Sequence, residues 1–169
     1  ELARARTLFD NLSRKTYSVD LKDLTPDEIA WRPVPQSNNI AVIVKHLRVV
    51  EDMVVAQLEK GEQSPYTDVP SVLKLTGSVP LNFEQNLKEF EELHTRFVNA
   101  MKQTTLADLK KKTFVSPFAQ GPRPANSLLF SEIGHLTVHR GQIRTLRNLY
   151  RKVRGEAGLF APRNPTFEA

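Results

Sequence analysis

A chain of 169 residues without a cysteine has no disulfide, no thiolate metal site and no thiol nucleophile, so any metal site must use His, Asp or Glu. Its length fits a single domain, residues 1–169, and its net charge of +5 permits binding to nucleic acid without requiring it. No apolar run reaches the length of a bilayer-spanning helix, and the first residues lack a secretory apolar core. We therefore expect a cytoplasmic protein with no membrane partner.

The beginning of the chain predicts one long helix and one short helical turn. Apolar residues recur at three- and four-residue steps from Leu2 to about Tyr17, with Arg and Lys between them. The short helical turn is expected to start at Thr25, which suits the N-cap position. Pro26 suits the first helical position, and Glu28 is expected to complete a capping box.

Three longer helices follow, separated by two long loops. Caps and periodicity predict these helices at about 37–60, with Gly61 as the stop, at 81–102 and at 127–151, where Gly155 marks the end. Residues 61–80 and 110–126 are rich in Pro and Gly and are predicted as loops, with one further helical turn at 105–109 and an irregular tail from residue 159. This pattern predicts an all-α fold, an up-down, antiparallel four-helix bundle with short extra turns and long crossover loops.

Three histidines on two of these helices are aimed at the same interior. His135 and His139 lie four residues apart on the last helix, where roughly 100° per residue places them about 40° apart on one face. Leu146 shares that face, whereas Arg144 lies on the polar side. His46 shares its own face with apolar residues of the second long helix. All three imidazoles are therefore predicted to point into the core.

The burial of three imidazoles favours a metal ion between them. Buried imidazoles cost free energy unless their nitrogens find partners. Three neutral imidazoles around a divalent ion meet that need, and the fourth position stays open for water or substrate. We interpret His46, His135 and His139 as the ligands of a reactive metal site. The alternative is three unrelated core histidines, each hydrogen-bonded to a backbone or side-chain group, because an H-x-x-x-H pair alone is weak evidence.

Two further polar residues, His94 and Gln142, are expected to line a pocket at the candidate metal site. His94 falls on the same stripe as Phe90 and Phe97, so it faces the bundle interior. It is interpreted as a pocket-lining proton carrier, an added ligand or a satisfied structural histidine. Gln142 lies in the same arc as the two histidines of the last helix and is also expected to line the pocket.

The last helix also carries a basic stripe at steps of three and four residues, formed by Arg140, Arg144, Arg147, Arg151 and Arg154. A basic helix face of this kind could bind along the phosphate backbone of a nucleic acid. Without interleaved aromatic residues or a groove-reading motif, we expect a solvated face paired with acidic neighbours, or helix-end cations that complement the dipole. The adjacent carboxylates Glu51-Asp52 and Glu91-Glu92 are interpreted as surface charges, since neighbouring residues on a helix diverge by roughly 100°.

Two segments of the chain resemble the DinB/YfiT-like superfamily of metal-dependent proteins. One runs from Leu24-Thr-Pro-Asp-Glu-Ile-Ala-Trp31 to Val44-Lys-His46-Leu, and the other is Gly134-His135-Leu-Thr-Val-His139-Arg-Gly-Gln142-Ile143. With the helix layout, the resemblance covers nearly the whole chain. It implies one metal histidine in the second long helix and an H-x-x-x-H-R-G-Q pair in the last. These positions are His46, His135 and His139.

The resemblance also implies chemistry. Members of the superfamily are four-helix bundles, often dimers, with zinc, nickel or another divalent ion on the three histidines. Several are thiol-dependent: transferases that use bacillithiol or mycothiol, and a maleylpyruvate isomerase. A low-molecular-weight thiol is therefore an implied cosubstrate, and a homodimer the implied assembly. One position departs from the pattern, because many members have a histidine where this chain has Val138.

The leading hypothesis is a metal-dependent enzyme of the thiol S-transferase type, or a related hydrolase, acting on a small-molecule substrate. The ion would lower the pKa of a bound thiol or water and so supply a nucleophile at neutral pH. The alternative is a non-catalytic module, either a structural metal protein or a damage- or stress-response protein that binds nucleic acid through Arg140, Arg144, Arg147 and Arg151. Imidazole ligands suit several divalent metals, so the sequence does not select one.

Overall fold

Seven α-helices and one short β-hairpin make up the part of the chain described by a computed structural model, residues 2–60, 69–115 and 121–158. In chain order the elements are α1 (Leu2–Lys15), a π-helical turn (Thr16–Asp20), α2 (Pro26–Ala30), α3 (Ile40–Lys60), α4 (Val69–Ser78), α5 (Phe83–Lys102), α6 (Leu106–Lys111), β1 (Thr113–Val115), β2 (Pro122–Pro124) and α7 (Asn126–Val153). The predicted all-α fold is confirmed. Among the described residues, every helix is too short or too polar to span a lipid bilayer.

The four long helices share one apolar core. α3 packs mainly against α5, α7 packs mainly against α1, and α3 also contacts α7. The largest fully buried side chains come from all four long helices and from α6, namely Phe9, Ile40, Leu47, Phe90, Phe97, Met101, Leu109 and Ile143. Burial of this apolar surface fixes α3 beside α7. These are the two helices that carry His46, His135 and His139.

Side-chain caps set the starts of two predicted helices. The Thr25 hydroxyl accepts a hydrogen bond from the backbone N–H of Glu28 at 3.2 Å, and the Asn39 side chain accepts one from the N–H of Val42 at 2.9 Å. The predicted capping box at Glu28 is wrong. Its carboxylate is buried and accepts a hydrogen bond from Arg147 of α7, so it serves a contact between helices.

The predicted loop at residues 61–80 contains α4 in its second half. Pro70 lies in the first turn of α4, where a missing N–H is tolerated, so it does not prevent a helix. Val72 is buried at 2% exposure and anchors α4 to the core. The Pro and Gly content of the segment was therefore misleading. Gly61, the predicted stop of α3, lies outside the described residues, as does the tail from residue 159.

The predicted loop at residues 110–126 contains the hairpin of β1 and β2. The two strands pair antiparallel, and the N–H of Val115 donates to the side chain of Gln57 on α3 at 3.2 Å. The helical turn predicted just before this segment is present as α6, which begins with a capping box between Thr105 and Asp108.

α7 ends at Val153, and the predicted role of Gly155 as its stop is confirmed. Gly155 has a φ of 74°, the left-handed conformation that glycine adopts without strain. Its N–H donates to the carbonyl of Lys152 at 3.0 Å, and the N–H of Glu156 donates to the carbonyl of Arg151 at 2.9 Å. This is a Schellman motif, which satisfies carbonyls at the end of the helix.

A candidate three-histidine metal site

His46, His135 and His139 lie together where α3 meets α7. One ring nitrogen from each histidine lies within 4.8 Å of the other two. The Nε2 atoms of His46 and His135 are 3.0 Å apart, and the ring centroids are separated by 4.5 to 5.1 Å. The four-residue spacing places His135 and His139 side by side on one face of α7, and α3 presents His46 opposite them. The structure therefore brings together the three histidines that the sequence singles out.

The three rings lie at the edge of the core, half-buried, and remain accessible from outside. The His135 side chain is 23% exposed. Burial lowers the pKa of His46 to about 4, assisted by the neighbouring His135 and His139 rings. Burial and the nearby His135 also lower the pKa of His139, although the hydrogen bond with Gln142 acts in the opposite direction. His46 and His139 are therefore neutral at pH 7, which is the protonation state that binds a metal.

The outer nitrogens of two rings face acceptors. Nδ1 of His139 donates to Oε1 of Gln142, one turn further along α7, at 2.8 Å. Nδ1 of His135 lies 3.7 Å from the carboxylate of Glu132, whose side chain is 7% exposed. The Gln142 oxygen holds the ring proton of His139 on Nδ1 and leaves its Nε2 lone pair for a metal, whereas the Glu132 contact is longer than a direct hydrogen bond.

This donor set fits a divalent metal ion. Nε2 of His135 faces Nε2 of His46 at 3.0 Å, and two lone pairs at that distance repel unless a proton or a cation lies between them. Three imidazoles from the protein leave a coordination position open, as in catalytic zinc sites. The three-histidine group could therefore hold a divalent ion. Imidazole ligands do not select among zinc, nickel, copper and iron.

A family model of the DinB superfamily matches residues 8–143. The match spans most of the chain and includes His46, His135, His139 and Gln142. The chain belongs to the DinB superfamily. The resemblance found in the sequence is therefore confirmed. No curated protein matches the chain.

Two arginines of the basic stripe in this DinB-superfamily chain pair with buried carboxylates. Arg147 is 3% exposed, and it donates to the carboxylate of Glu28 at 2.8 Å and to the carbonyls of Val19 and Asp20 at 3.2 and 2.9 Å. Arg140 pairs with the buried carboxylate of Asp20. The expected pairing with acidic neighbours is present, but the expectation of a solvated face is wrong at Arg147. These ion pairs hold α7 against the π-helical turn and α2. Because the two arginines are already paired, the case for binding of nucleic-acid phosphates through them is weakened.

Two buried carboxylates near the histidines were missed in the sequence. Glu51, interpreted there as a surface charge, is 3% exposed, and Glu132 is 5% exposed. Glu51 follows the buried Leu47 by four residues and precedes the buried Val54 by three, so it falls inside the apolar arc of α3. That spacing was the available signal. Burial raises the pKa of Glu51, and the charge of Glu132 adds to the effect.

His94 is buried among polar groups of α1 and α3. Its Nδ1 lies 3.2 Å from the hydroxyl of Ser13 and 3.5 Å from the carboxylate of Glu51, and its Nε2 lies 3.8 Å from Asp10. The ring also packs on Phe9, with centroids 4.9 Å apart. Among the roles left open by the sequence, these contacts favour a structural histidine that is held through Nδ1 by Ser13. Ser13 is fully buried, so this Ser-His contact has no access to a substrate.

A groove of about 500 Å³ opens beside the three histidines. Its lining includes Pro33, Asn38, Ile43, Val138, Gln142 and Leu149. Ile43 lies one turn before His46 on α3, and Val138 and Gln142 lie on either side of His139, so the groove adjoins the candidate metal site. Gln142, expected from the sequence to line a pocket, is thus shared by the groove and the histidine cluster.

Proposed function

We propose that this protein is a metal-dependent enzyme whose divalent ion is held by His46, His135 and His139. The observation that carries the proposal is the convergence of three imidazole nitrogens within 4.8 Å. A structural zinc site usually has four protein ligands, whereas three leave room for a reactant. A bound ion would supply a positive charge that lowers the pKa of a thiol or a water molecule at the open position.

The reaction class that we propose is S-transfer from a small thiol to an electrophilic small molecule, with metal-dependent hydrolysis as a variant. The thiol-dependent chemistry implied by the superfamily resemblance supports this class, and zinc or nickel is the proposed metal. The groove beside the site supports it as well, because it can bind and orient a second reactant next to the histidines. The half-buried rings limit access of water to one side, and Gln142 keeps the His139 ring in a fixed orientation.

Metal analysis of the purified protein tests the site. After removal of metals and reloading with zinc or nickel, wild type is expected to retain one ion per chain. His139→Ala should lose the ion, whereas His94→Gln, which changes a histidine outside the cluster, should retain it. Circular dichroism of each variant verifies that the helices are intact. Wild type without a tightly bound ion, or His139→Ala with as much metal as wild type, contradicts the proposal.

Turnover with a panel of thiols tests the reaction class. Metal-loaded protein is assayed with bacillithiol, mycothiol, glutathione and cysteine against 1-chloro-2,4-dinitrobenzene. In this reaction the thiolate sulfur forms a bond to the ring carbon as chloride leaves with its electron pair. Catalysis that His139→Ala loses and His94→Gln keeps supports S-transfer. A protein that binds metal tightly, turns over no thiol and hydrolyses an activated ester only when loaded with metal supports the hydrolase variant.

A further inference from the structure

Gly141 is a glycine in the middle of α7 that nothing in the described chain requires. A glycine in a helix interior costs about 1 kcal/mol relative to alanine. A Cβ atom placed at Gly141 meets no atom within 4 Å, so close packing within the chain does not explain the small residue. Gly141 lines the groove beside the histidines. Its missing side chain leaves the α7 backbone open to a molecule in that groove.

The chemistry of the groove lining is apolar and uncharged. Ile43, Val138, Leu146 and Leu149 provide its apolar walls, and Asn38, Gln142 and Thr145 provide amides and a hydroxyl. Among the described residues that line it, none carries a charge. By contrast, a groove of about 410 Å³ elsewhere is lined by Arg6, Asp10 and Lys102. An anionic group in this groove would lose hydration without meeting a charged side chain of the lining, which is costly.

We propose that this groove binds the uncharged, apolar body of a small molecule, with Gly141 giving it room against α7. The amides of Asn38 and Gln142 and the hydroxyl of Thr145 are the groups that would bind its polar atoms. The volume of about 500 Å³ lies within the usual range of small-molecule sites. That the reactive end of this molecule reaches His139 rests on the proposed function, whereas binding of the apolar body does not need a metal.

A second copy of the chain is the competing occupant of this surface. Gly134, Val138, Gly141, Thr145 and Leu149 recur on one face of α7, a pattern that also suits helix packing. The concave shape favours the small molecule, because Pro33 and Asn38 from the connection between α2 and α3 line the groove together with residues of α7.

Two matched fluorescent probes test the proposal in the full chain. N-phenyl-1-naphthylamine is neutral, and 8-anilinonaphthalene-1-sulfonate has the same rings with one negative charge. The neutral probe is expected to bind at least tenfold more tightly than the anionic probe. Gly141→Phe should weaken its binding at least tenfold, because the new ring fills the groove. Gly134→Phe is the matched control, since its Cβ also meets nothing within 4 Å and it does not line the groove.

The outcomes separate this inference from the proposed function. Neutral-probe binding that persists in His139→Ala, after that variant has lost its metal, supports a groove that is independent of the ion. A protein that binds no metal but binds the neutral probe more tightly than the anionic probe contradicts the metalloenzyme proposal. It still supports binding of an uncharged molecule in the groove. Equal affinity for both probes contradicts the proposal that the groove binds an uncharged molecule. Equal losses of neutral-probe affinity in Gly141→Phe and Gly134→Phe contradict it as well. A third contradicting result is a wild-type dimer that binds neither probe and becomes monomeric in Gly141→Phe, as measured by sedimentation. That result would show that a second copy of the chain covers the groove.

Discussion

The Nδ1 atom of His139 lies 2.8 Å from Oε1 of Gln142, three residues further along α7. Because the two residues share a helix face, the helix itself sets this contact. The amide oxygen is an acceptor, so it fixes both the orientation of the ring and the position of its proton. The nitrogen that remains for a metal is then oriented before any ion arrives.

Replacing Gln142 should weaken metal binding without removing a ligand. Gln142→Met keeps the length of the side chain but removes the acceptor, and partners of this kind typically change metal affinity by about 10- to 100-fold. Gln142→Glu keeps an acceptor oxygen and should bind metal at least as tightly as wild type. Competition with a chromophoric chelator measures the affinities. Wild-type affinity in Gln142→Met would show that the hydrogen bond has no part in orienting His139.

Breaking the ion pair between Glu28 and Arg147 should destabilise the fold strongly. Both side chains are 4% exposed, so Glu28→Leu leaves a guanidinium buried without its carboxylate. We expect the free energy of unfolding to fall by about 3–5 kcal/mol, toward the lower figure because Arg147 keeps its bonds to backbone carbonyls. Urea unfolding of the metal-free protein measures the change.

An exposed ion pair provides the control for this measurement. Arg154 and Glu156 are 54% and 50% exposed, so Arg154→Met should leave the free energy of unfolding nearly unchanged. The double variant Glu28→Leu/Arg147→Met removes both buried charges and should regain most of the loss. A loss in Glu28→Leu no larger than in Arg154→Met contradicts a stabilising role for the buried pair.

The parts of the fold that the sequence predicted are those with long periodic patterns. The four long helices, and the histidine positions on two of them, follow from apolar spacing and caps such as Asn39 at the start of α3. α4 was missed because Pro70 was taken as a loop signal, although proline is tolerated in a first helical turn. The hairpin was missed because Gly121, Pro122 and Pro124 were taken as loop signals, although proline is tolerated in an edge strand. The pair between Glu28 and Arg147 was not predictable, since it joins residues 119 positions apart and no local pattern specifies that contact.

The candidate site was predicted less completely than the fold. Spacing placed the three candidate ligand histidines on inward faces and grouped them into one site, and the resemblance then supported that grouping. Glu51 was missed because adjacency to Asp52 was taken as a sign of exposure, whereas its distance from Leu47 indicates burial. Glu132 precedes the buried Leu136 by four residues, so the same kind of spacing indicated its burial and was overlooked. The groove depends on how residues 33–38 lie against α7, which periodicity does not specify.

Glu51 should make the metal-free protein less stable as the pH rises. Burial raises the pKa of Glu51 above its ordinary value of 4.5, and Glu132 adds to the effect, whereas His94 and His135 oppose it. Above pH 4.5 the unfolded chain releases this proton while the folded chain keeps it, so stability falls as pH rises toward the folded-state pKa. Glu51→Gln removes the penalty, and its stability relative to wild type should increase from pH 5 to pH 8.

The exposed Glu91 provides the control for this pH dependence. Urea unfolding in the presence of a chelator gives the free energies of wild type, Glu51→Gln and Glu91→Gln at both pH values. The difference between wild type and Glu91→Gln should stay nearly constant. A Glu51→Gln variant that loses stability relative to wild type between pH 5 and pH 8 would indicate a carboxylate that is ionised in the folded protein.

Two glycines, one inside α7 and one just past its C-terminal end, should respond to alanine in opposite directions. Gly134 lies in the helix, and a Cβ there meets nothing within 4 Å, so Gly134→Ala should stabilise the protein by about 0.5–1 kcal/mol. Gly155 has a φ of 74°, where a Cβ is strained, so Gly155→Ala should cost about 1–2 kcal/mol. For a chain of this size, 1 kcal/mol shifts Tm by about 2–4 °C, which circular dichroism resolves. A fall in Tm for Gly134→Ala would show that this face of α7 is covered in solution, because only a close neighbour makes an added methyl group unfavourable there.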